Sequence, residues 1–373
     1  MGRDPLPLAQ ALIRCPSVTP ADAGALDVVA AALRPLGFSV HRLGFGTTPN
    51  LFARRGDSGP HLCFAGHTDV VPPGAGPWTT DPFGAEVRDG VLFGRGATDM
   101  KGGVAAFIAA IPETCPGSLS LLITGDEEGP ATDGTVKVLG WMAEHGHIPD
   151  MCLVGEPTSK VRLGDTIKVG RRGSLNAAIT IHGTQGHAAY PQKADNPIHR
   201  MVRVLAALTA EPLDAGSEFF EASSLQVTSV DVGNAATNVI PGSATARLNI
   251  RFNDLHSSDS LGARLHAVLA EHAPRHELSL NCSGESFLTQ PGPFVEALRR
   301  AVRATCATEP ALDTGGGTSD ARFIARYCPV AELGAVGATM HKADEQTPVA
   351  ELRDLTRLYA AVIAETLGQA AVG

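Results

Sequence analysis

Three apolar runs in this 373-residue sequence stop on residues that bind metals or move protons. HLCFAG (61–66) runs into His67-Thr68-Asp69, LSLLITG (119–125) into Asp126-Glu127-Glu128, and MCLVG (151–155) into Glu156-Pro157. Each run is short and apolar enough for a buried strand. In an open α/β sheet, ligands gather in the crevice beyond the carboxyl ends of the strands. A histidine and glutamates aimed there would make a metal site, with a donor set suited to zinc, cobalt or manganese rather than magnesium or copper. A single acid after a strand is ordinarily a cap or turn residue, and Asp126 is read that way. The repetition after three strands, each time behind a glycine, favours the site. Asp69, two residues from His67, is expected to accept its second ring N–H and fix the tautomer.

Two further positions join this set. In GRGATDMKGG (94–103), Asp99 stands among glycines just before a helical run, KGGVAAFIAAI. A phosphate loop does not fit, because neither G-x-x-x-x-G-K-[ST] nor G-x-G-x-x-G is satisfied. The glycines are read as letting the backbone bend so that Asp99 faces the crevice, where one carboxylate could bridge two metals. His341, in GATMHKADE, is singled out among thirteen histidines only because it also follows a strand of the same domain.

The elements that must position these residues have an α/β rhythm. Strand-like FSVHRL, NLFARR, HLCFAG, LSLLIT and MCLVGE are interspersed with the helical spacing of KGGVAAFIAAI and TVKVLGWMAEHG. After residue 170 the pattern becomes β-α-β-β-α-β: SLNAAITIH, a helix near 196–210, SLQVTSVDVG, ATARLNIRF, a helix near 258–272, and HELSLNC. That order is the ferredoxin-like split unit. The α/β rhythm returns with FVEALRRAVRAT, SDARFIARY and PVAEL. The expected architecture is an α/β domain built from 1–172 and 286–373, with an α+β domain inserted at 173–285.

Composition narrows the function. The formal net charge of −9 argues against nucleic-acid binding. No apolar stretch is long enough to span a bilayer, and neither a signal peptide nor a myristoylation pattern is read at the start. Seven scattered cysteines without C-x-x-C suggest buried thiols in a reducing cytoplasm. G-x-S-x-G and H-E-x-x-H are absent, so a nucleophile elbow and that zinc helix are excluded.

Taken together, GHTDVVP (66–72), GRGATDMKGG (94–103), GDEEGPATDGT (125–135), VGEPTS (154–159), GRRGSL (170–175), GHAAYP (186–191) and GGGTSDARFI (315–324) resemble the M20 family of co-catalytic zinc amide hydrolases. The resemblance runs in order over essentially the whole chain. It implies a catalytic domain with a central mixed sheet flanked by helices, and an inserted domain that serves as lid and dimer interface. It also implies two zinc ions, with cobalt as a substitute. His67, Asp99 and Glu156 would hold one, and Asp99, Glu128 and His341 the other. Glu127 would be the general base, Asp69 the support of His67, and His187 an oxyanion donor supplied to the partner subunit of a homodimer.

For substrate, the resemblance implies N-succinyl-LL-2,6-diaminopimelate, cleaved to succinate and LL-2,6-diaminopimelate in bacterial lysine and diaminopimelate synthesis. Arg171 and Arg251 would pair with its carboxylates, with Ser174, Tyr190, Asn238, Gly317 and Thr318 around them. The GRRGS and GGGTSD runs favour this over an acetylornithine deacetylase-like reaction. Gly337 departs from the pattern, which has asparagine there, and puts one substrate contact in question. A dimeric binding protein that kept only the fold is the rival of a different class; it would be expected to have lost Glu127 or a ligand.

Overall fold

The runs that end on His67 and Glu127 lie side by side. In the computed structural model His61–His67 and Ser118–Thr124 are buried along their whole length, as strands covered on both faces must be. The structure describes residues 3–368, which divide into two units. The larger takes the chain up to Val169, Thr289–Asp313 and the chain from Ser319 onward; the smaller takes Gly170–Leu288 and Thr314–Thr318.

The larger unit holds an eight-stranded mixed sheet. Its order is Ser39–Phe45, Thr48–Arg55, Ser118–Thr124, His61–His67, Met151–Val154, Val330–Glu332, Thr166–Lys168, Ala311–Asp313. His61–His67 runs parallel to both of its neighbours, Ser118–Thr124 and Met151–Val154. All three therefore deliver their carboxyl ends to one edge, with His67 level with Thr124 and Ala65 with Val154.

The helix Lys101–Ala110 starts at the residue after Met100 and is buried at all ten positions. Such a helix belongs inside a unit rather than on its surface. Its glycines allow the approach: a Cβ on Gly102 would lie 2.2 Å from the Ala97 carbonyl, and one on Gly103 would lie 2.9 Å from that of Gly155. Phe107 stacks on Phe64 at 4.1 Å between ring centroids, and Tyr359 of the long helix Val349–Leu367 meets both rings edge-on. The Tyr359 hydroxyl donates to the Leu333 carbonyl at 2.9 Å, which satisfies its one polar group. Asp99, just before this helix, and Glu156, just after Gly155, are thus anchored beside the same packed core.

The smaller unit has the strand and helix order expected of it, and its four strands lie in the order Ser224–Asp231, Ser243–Phe252, Gly173–His182, His276–Gly284, all antiparallel. Burial alternates along Ser243–Phe252, with one face packed and the other wet. Met201, Val204 and Leu208 of one helix and Leu261, Leu265 and Leu269 of the other recur at helical spacing and fill that packed face.

Some elements had no counterpart in the sequence reading. The helices Leu6–Ile13 and Ala25–Leu33 and the three-residue strands Thr166–Lys168 and Ala311–Asp313 were not anticipated. No described helix is long and apolar enough to cross a membrane.

His61 is a titratable group buried in the larger unit, at the opposite end of its strand from His67. It is 5% exposed and shares a 2.8 Å hydrogen bond between Nε2 and Ser120 Oγ. Burial, reinforced by Arg54, lowers its pKa to about 4. The folded state refuses a proton that the unfolded chain accepts below about 6.5. The resulting stability is present above that value and is lost as pH falls through 4. Between pH 7 and 5 this amounts to about 1–2 kcal/mol. His61→Gln, which can keep the Ser120 contact, should flatten that part of the urea-midpoint profile at fixed metal content. Identical profiles for the two proteins would show that His61 is not the group involved.

Candidate metal centre

The turn after Ser118–Thr124 is organised by aspartates. Asp126 accepts the N–H groups of Thr132 and Asp133 at 2.8 and 2.9 Å, the turn role expected of it. The Asp69 carboxylate accepts those of Glu127 at 3.3 Å and Glu128 at 3.0 Å. This corrects the expectation for Asp69. His67 Nδ1 bonds at 2.9 Å to the main-chain carbonyl of Asp69, whereas the carboxylate lies 3.7 Å away, beyond hydrogen-bonding reach. The tautomer of the neutral ring is still fixed, because a carbonyl only accepts: Nδ1 carries that proton, and Nε2 is the atom offered to a cation. The carboxylate instead aims the two glutamates.

Those glutamates diverge. Glu128 Oε1 lies 2.9 Å from His341 Nε2, while Glu127 Oε2 lies 3.9 Å from His67 Nε2. Between the two histidines stands Asp99, 7% exposed, with Oδ1 at 3.3 Å from His67 Nε2 and Oδ2 at 3.2 Å from His341 Nε2. Glu156 Oε1 completes the first group at 3.7 Å from His67 Nε2. Two donor atoms each about 2.1 Å from one tetrahedral zinc are about 3.4 Å apart, close to the His67–Asp99, His341–Asp99 and His341–Glu128 separations.

Hydrogen bonding points the same way. His67 Nε2, Asp99 Oδ1 and Glu156 Oε1 are buried and, among the described residues, have no hydrogen-bond partner. Three orphaned atoms converging on one point are costly unless something positive binds there. Distance alone also admits Glu127, since His67, Glu127 and Glu156 each offer an atom within 4.8 Å of the others. It also groups Glu128 with His67 and Asp99, so the residues present fit a metal site around His67 and Asp99.

The charges tell of the same need. Burial would depress His67, but the Asp99 carboxylate together with Glu127, Glu156 and Asp69 holds it well above its usual value. His341 is pushed up to about 10 by Asp99 and Glu128. Glu127 is raised to about 8 by burial and then by Asp320, Glu128 and Asp99, while Glu156 is raised well above the carboxylate range by burial, Asp99 and Glu127. Asp99 is the exception: burial would raise it, yet the two flanking histidines hold it well below its usual value. With no cation bound, protons take over the balancing of charge.

Two buried residues that sequence reasoning passed over support this cluster. Glu345 Oε1 accepts from the N–H groups of Thr98 and Asp99 at 2.9 and 3.0 Å, and its Oε2 pairs with Arg95 at 2.7 Å. Their only sequence signal was a charged residue inside each motif, GRGATD and MHKADE.

The remaining expected residues belong to the smaller unit. His187 is exposed, on a two-residue strand paired with Val239–Ile240. Its Nδ1 accepts the Ala189 N–H at 3.0 Å, so the neutral ring carries its proton on Nε2 and can donate it. Tyr190 is 5.7 Å away between ring centroids, and the Asn238 carbonyl accepts the Ala188 N–H. Arg171 donates to the Gly317 carbonyl at 2.9 Å, bringing two expected substrate residues and neighbouring Thr318 together. Ser174 is buried opposite Arg251 in the sheet register. Back in the larger unit, a Cβ at Gly337 would lie 2.9 Å from the Pro157 carbonyl, so an asparagine there would require the main chain to shift.

Comparison with known proteins agrees with this architecture. The family model for peptidase family M20/M25/M40 matches residues 63–365. A succinyl-diaminopimelate desuccinylase of Gluconacetobacter diazotrophicus is 62% identical, covering 97% of each chain. One from Granulibacter bethesdensis is 58% identical over 98% of this chain and 99% of its own. Among solved structures, the aminopeptidase PepT of Bacillus cereus superposes with a TM-score of 0.77 at 21% identity, covering 98% of each chain. The YXEP protein of Bacillus subtilis, described as a dinuclear metal-binding peptidase of family M20, gives 0.73 at 16% identity, also covering 98% of each.

A cation that binds only the folded cluster must stabilise it by mass action. Zinc is expected to raise the thermal midpoint of the chelator-treated protein. Asp99→Asn, which removes the charge facing both histidines, should abolish most of that rise. An undiminished rise in the variant would mean that zinc binds elsewhere.

Proposed function

The chain belongs to peptidase family M20/M25/M40, and from that premise we propose that it is a two-zinc amide hydrolase releasing succinate from N-succinyl-LL-2,6-diaminopimelate. The chemistry rests above all on one observation, the Asp99 carboxylate shared between His67 and His341. The substrate follows the desuccinylases to which the chain is similar over nearly its full length. Such a reaction would serve lysine and diaminopimelate synthesis in the bacterial cytoplasm, with cobalt able to replace zinc.

In this reading His67, Asp99 and Glu156 hold one ion, and Asp99, Glu128 and His341 the other. Bound zinc supplies the Lewis acidity that activates a water and polarises the amide carbonyl. Glu127, aimed into the cluster by Asp69, takes the proton from the attacking water and returns it to the departing amine. His187 donates from Nε2 to the carbonyl oxygen as that oxygen gains charge. We assign this histidine to the partner subunit of a homodimer formed through the smaller unit. Arg171 and Arg251 pair with substrate carboxylates, and Ser174, Tyr190, Asn238, Gly317 and Thr318 line the pocket around them. The inserted domain, taken as 173–285, acts as the lid.

The deciding assay offers N-succinyl-LL-2,6-diaminopimelate and N-acetylornithine to zinc-loaded protein beside a chelator-treated control. Zinc-dependent release of succinate is expected, with little turnover of the acetyl compound. Preference for the acetyl compound would keep the metals and overturn the pocket. Glu127→Ala should retain two equivalents of zinc while turnover drops by about 10²–10⁴-fold, the usual weight of a general base. Loss of zinc instead would make Glu127 a ligand.

The shared site has its own test. Glu127→Ala and His187→Ala chains, each inactive alone, should regain part of the activity when mixed into hybrid dimers. Proven hybrids that stay inactive would place both residues in the same chain's site.

A further inference from the structure

The buried pair Arg95–Glu345 ties together three loops that carry candidate ligands. Arg95 is 1% exposed and Glu345 is fully buried. Through Glu345 the pair holds the N–H of Asp99 itself. Through Arg95 it holds the Lys342 carbonyl at 3.1 Å, the residue after His341, and the Pro72 and Pro73 carbonyls at 3.3 Å, downstream of His67. The Trp78 ring covers the guanidinium at 5.2 Å. A second clasp lies alongside, where Thr98 Oγ1 and Thr339 Oγ1 meet at 3.3 Å and both donate to the Gln346 carbonyl.

The two candidate metal positions depend on this clasp unequally. His67 ends a strand bonded on both sides, and Glu156 follows Gly155, whose N–H donates to the Ala65 carbonyl. The sheet holds those two whatever Arg95 does. His341 has no such support: it is half-exposed, has a positive φ of 62°, and lies in the loop clamped by Arg95, Glu345 and Thr339.

We propose that Arg95 and Glu345 are positioning residues that fix the separation of Asp99 from His341, and thereby the affinity of the metal position formed by Asp99, Glu128 and His341. The inference rests on the two-metal reading above. A guanidinium is required because only its planar fork can reach Glu345, Lys342 and Pro72–Pro73 together; a lysine ammonium keeps the charge but not that reach.

The test is a calorimetric titration of chelator-treated protein with zinc alone. Wild type should show two binding events, and His341→Ala identifies the one belonging to its position by removing it. Glu345→Gln should weaken that event at least tenfold and Arg95→Lys several-fold, while the other event moves less than threefold and the circular dichroism is unchanged. If Glu345→Gln does not fold, Arg95→Lys, which retains the buried charge, decides. An unchanged His341-dependent event in folded variants would overturn the proposal, as would equal weakening of both events. A single event in the wild type would instead overturn the two-metal reading, and the inference would fall with it.

Discussion

Like charge concentrated in a dry crevice is the constraint on which the rest depends. Asp99, Glu127, Glu128 and Glu156 converge within a few ångströms where little water can screen them. Carboxylates left that way repel one another and take up protons, as the raised Glu127 and Glu156 do. Divalent cations would reverse the sign of the problem, turning repulsion among the acids into a shared attraction. A structure built round that cluster must hold the acids in place during the interval before the ions arrive. The main-chain N–H groups on Asp69 and the Arg95–Glu345 pair do so without occupying the oxygens that face the histidines.

Much of this was legible in the sequence, for a definable reason. Strands buried on both faces leave near-continuous apolar runs, so the residues that interrupt them, His67, Asp126-Glu127-Glu128 and Glu156, stand out in one dimension. The β-α-β-β-α-β order was readable because Ser243–Phe252 alternates and its flanking helices keep their period. Three-residue strands such as Thr166–Lys168 carry too few positions for any period and are strands only because neighbours pair with them. The amino-terminal helices were passed over because Leu6–Ile13 and Ala25–Leu33 are short and apolar nearly throughout, which leaves little helical period to read.

What escaped the sequence was the second tier of the site. Nothing in HTDVVP says whether His67 will bond to the main-chain or side-chain oxygen of Asp69; that depends on where the Glu127–Glu128 turn comes to rest. Arg95 and Glu345 are 250 residues apart, and each resembles an ordinary surface charge until the fold buries both. Supporting contacts of this kind are set by tertiary geometry, whereas the candidate ligands were betrayed by their local setting.

The division of the chain has a consequence for its synthesis. The larger unit's sheet places Val330–Glu332 beside Met151–Val154, and the cluster at its edge reaches from His67 to His341. The smaller unit's four-stranded sheet, by contrast, is complete once Gly284 has been made. A ribosome working from the amino terminus therefore finishes the later, smaller sheet while the earlier, larger one still lacks strands. The acids at Asp99, Glu127, Glu128 and Glu156 wait through most of translation without His341, and such long-range closure is slow. The last histidine to emerge, His341, is the one that comes to lie against Asp99 and Glu128.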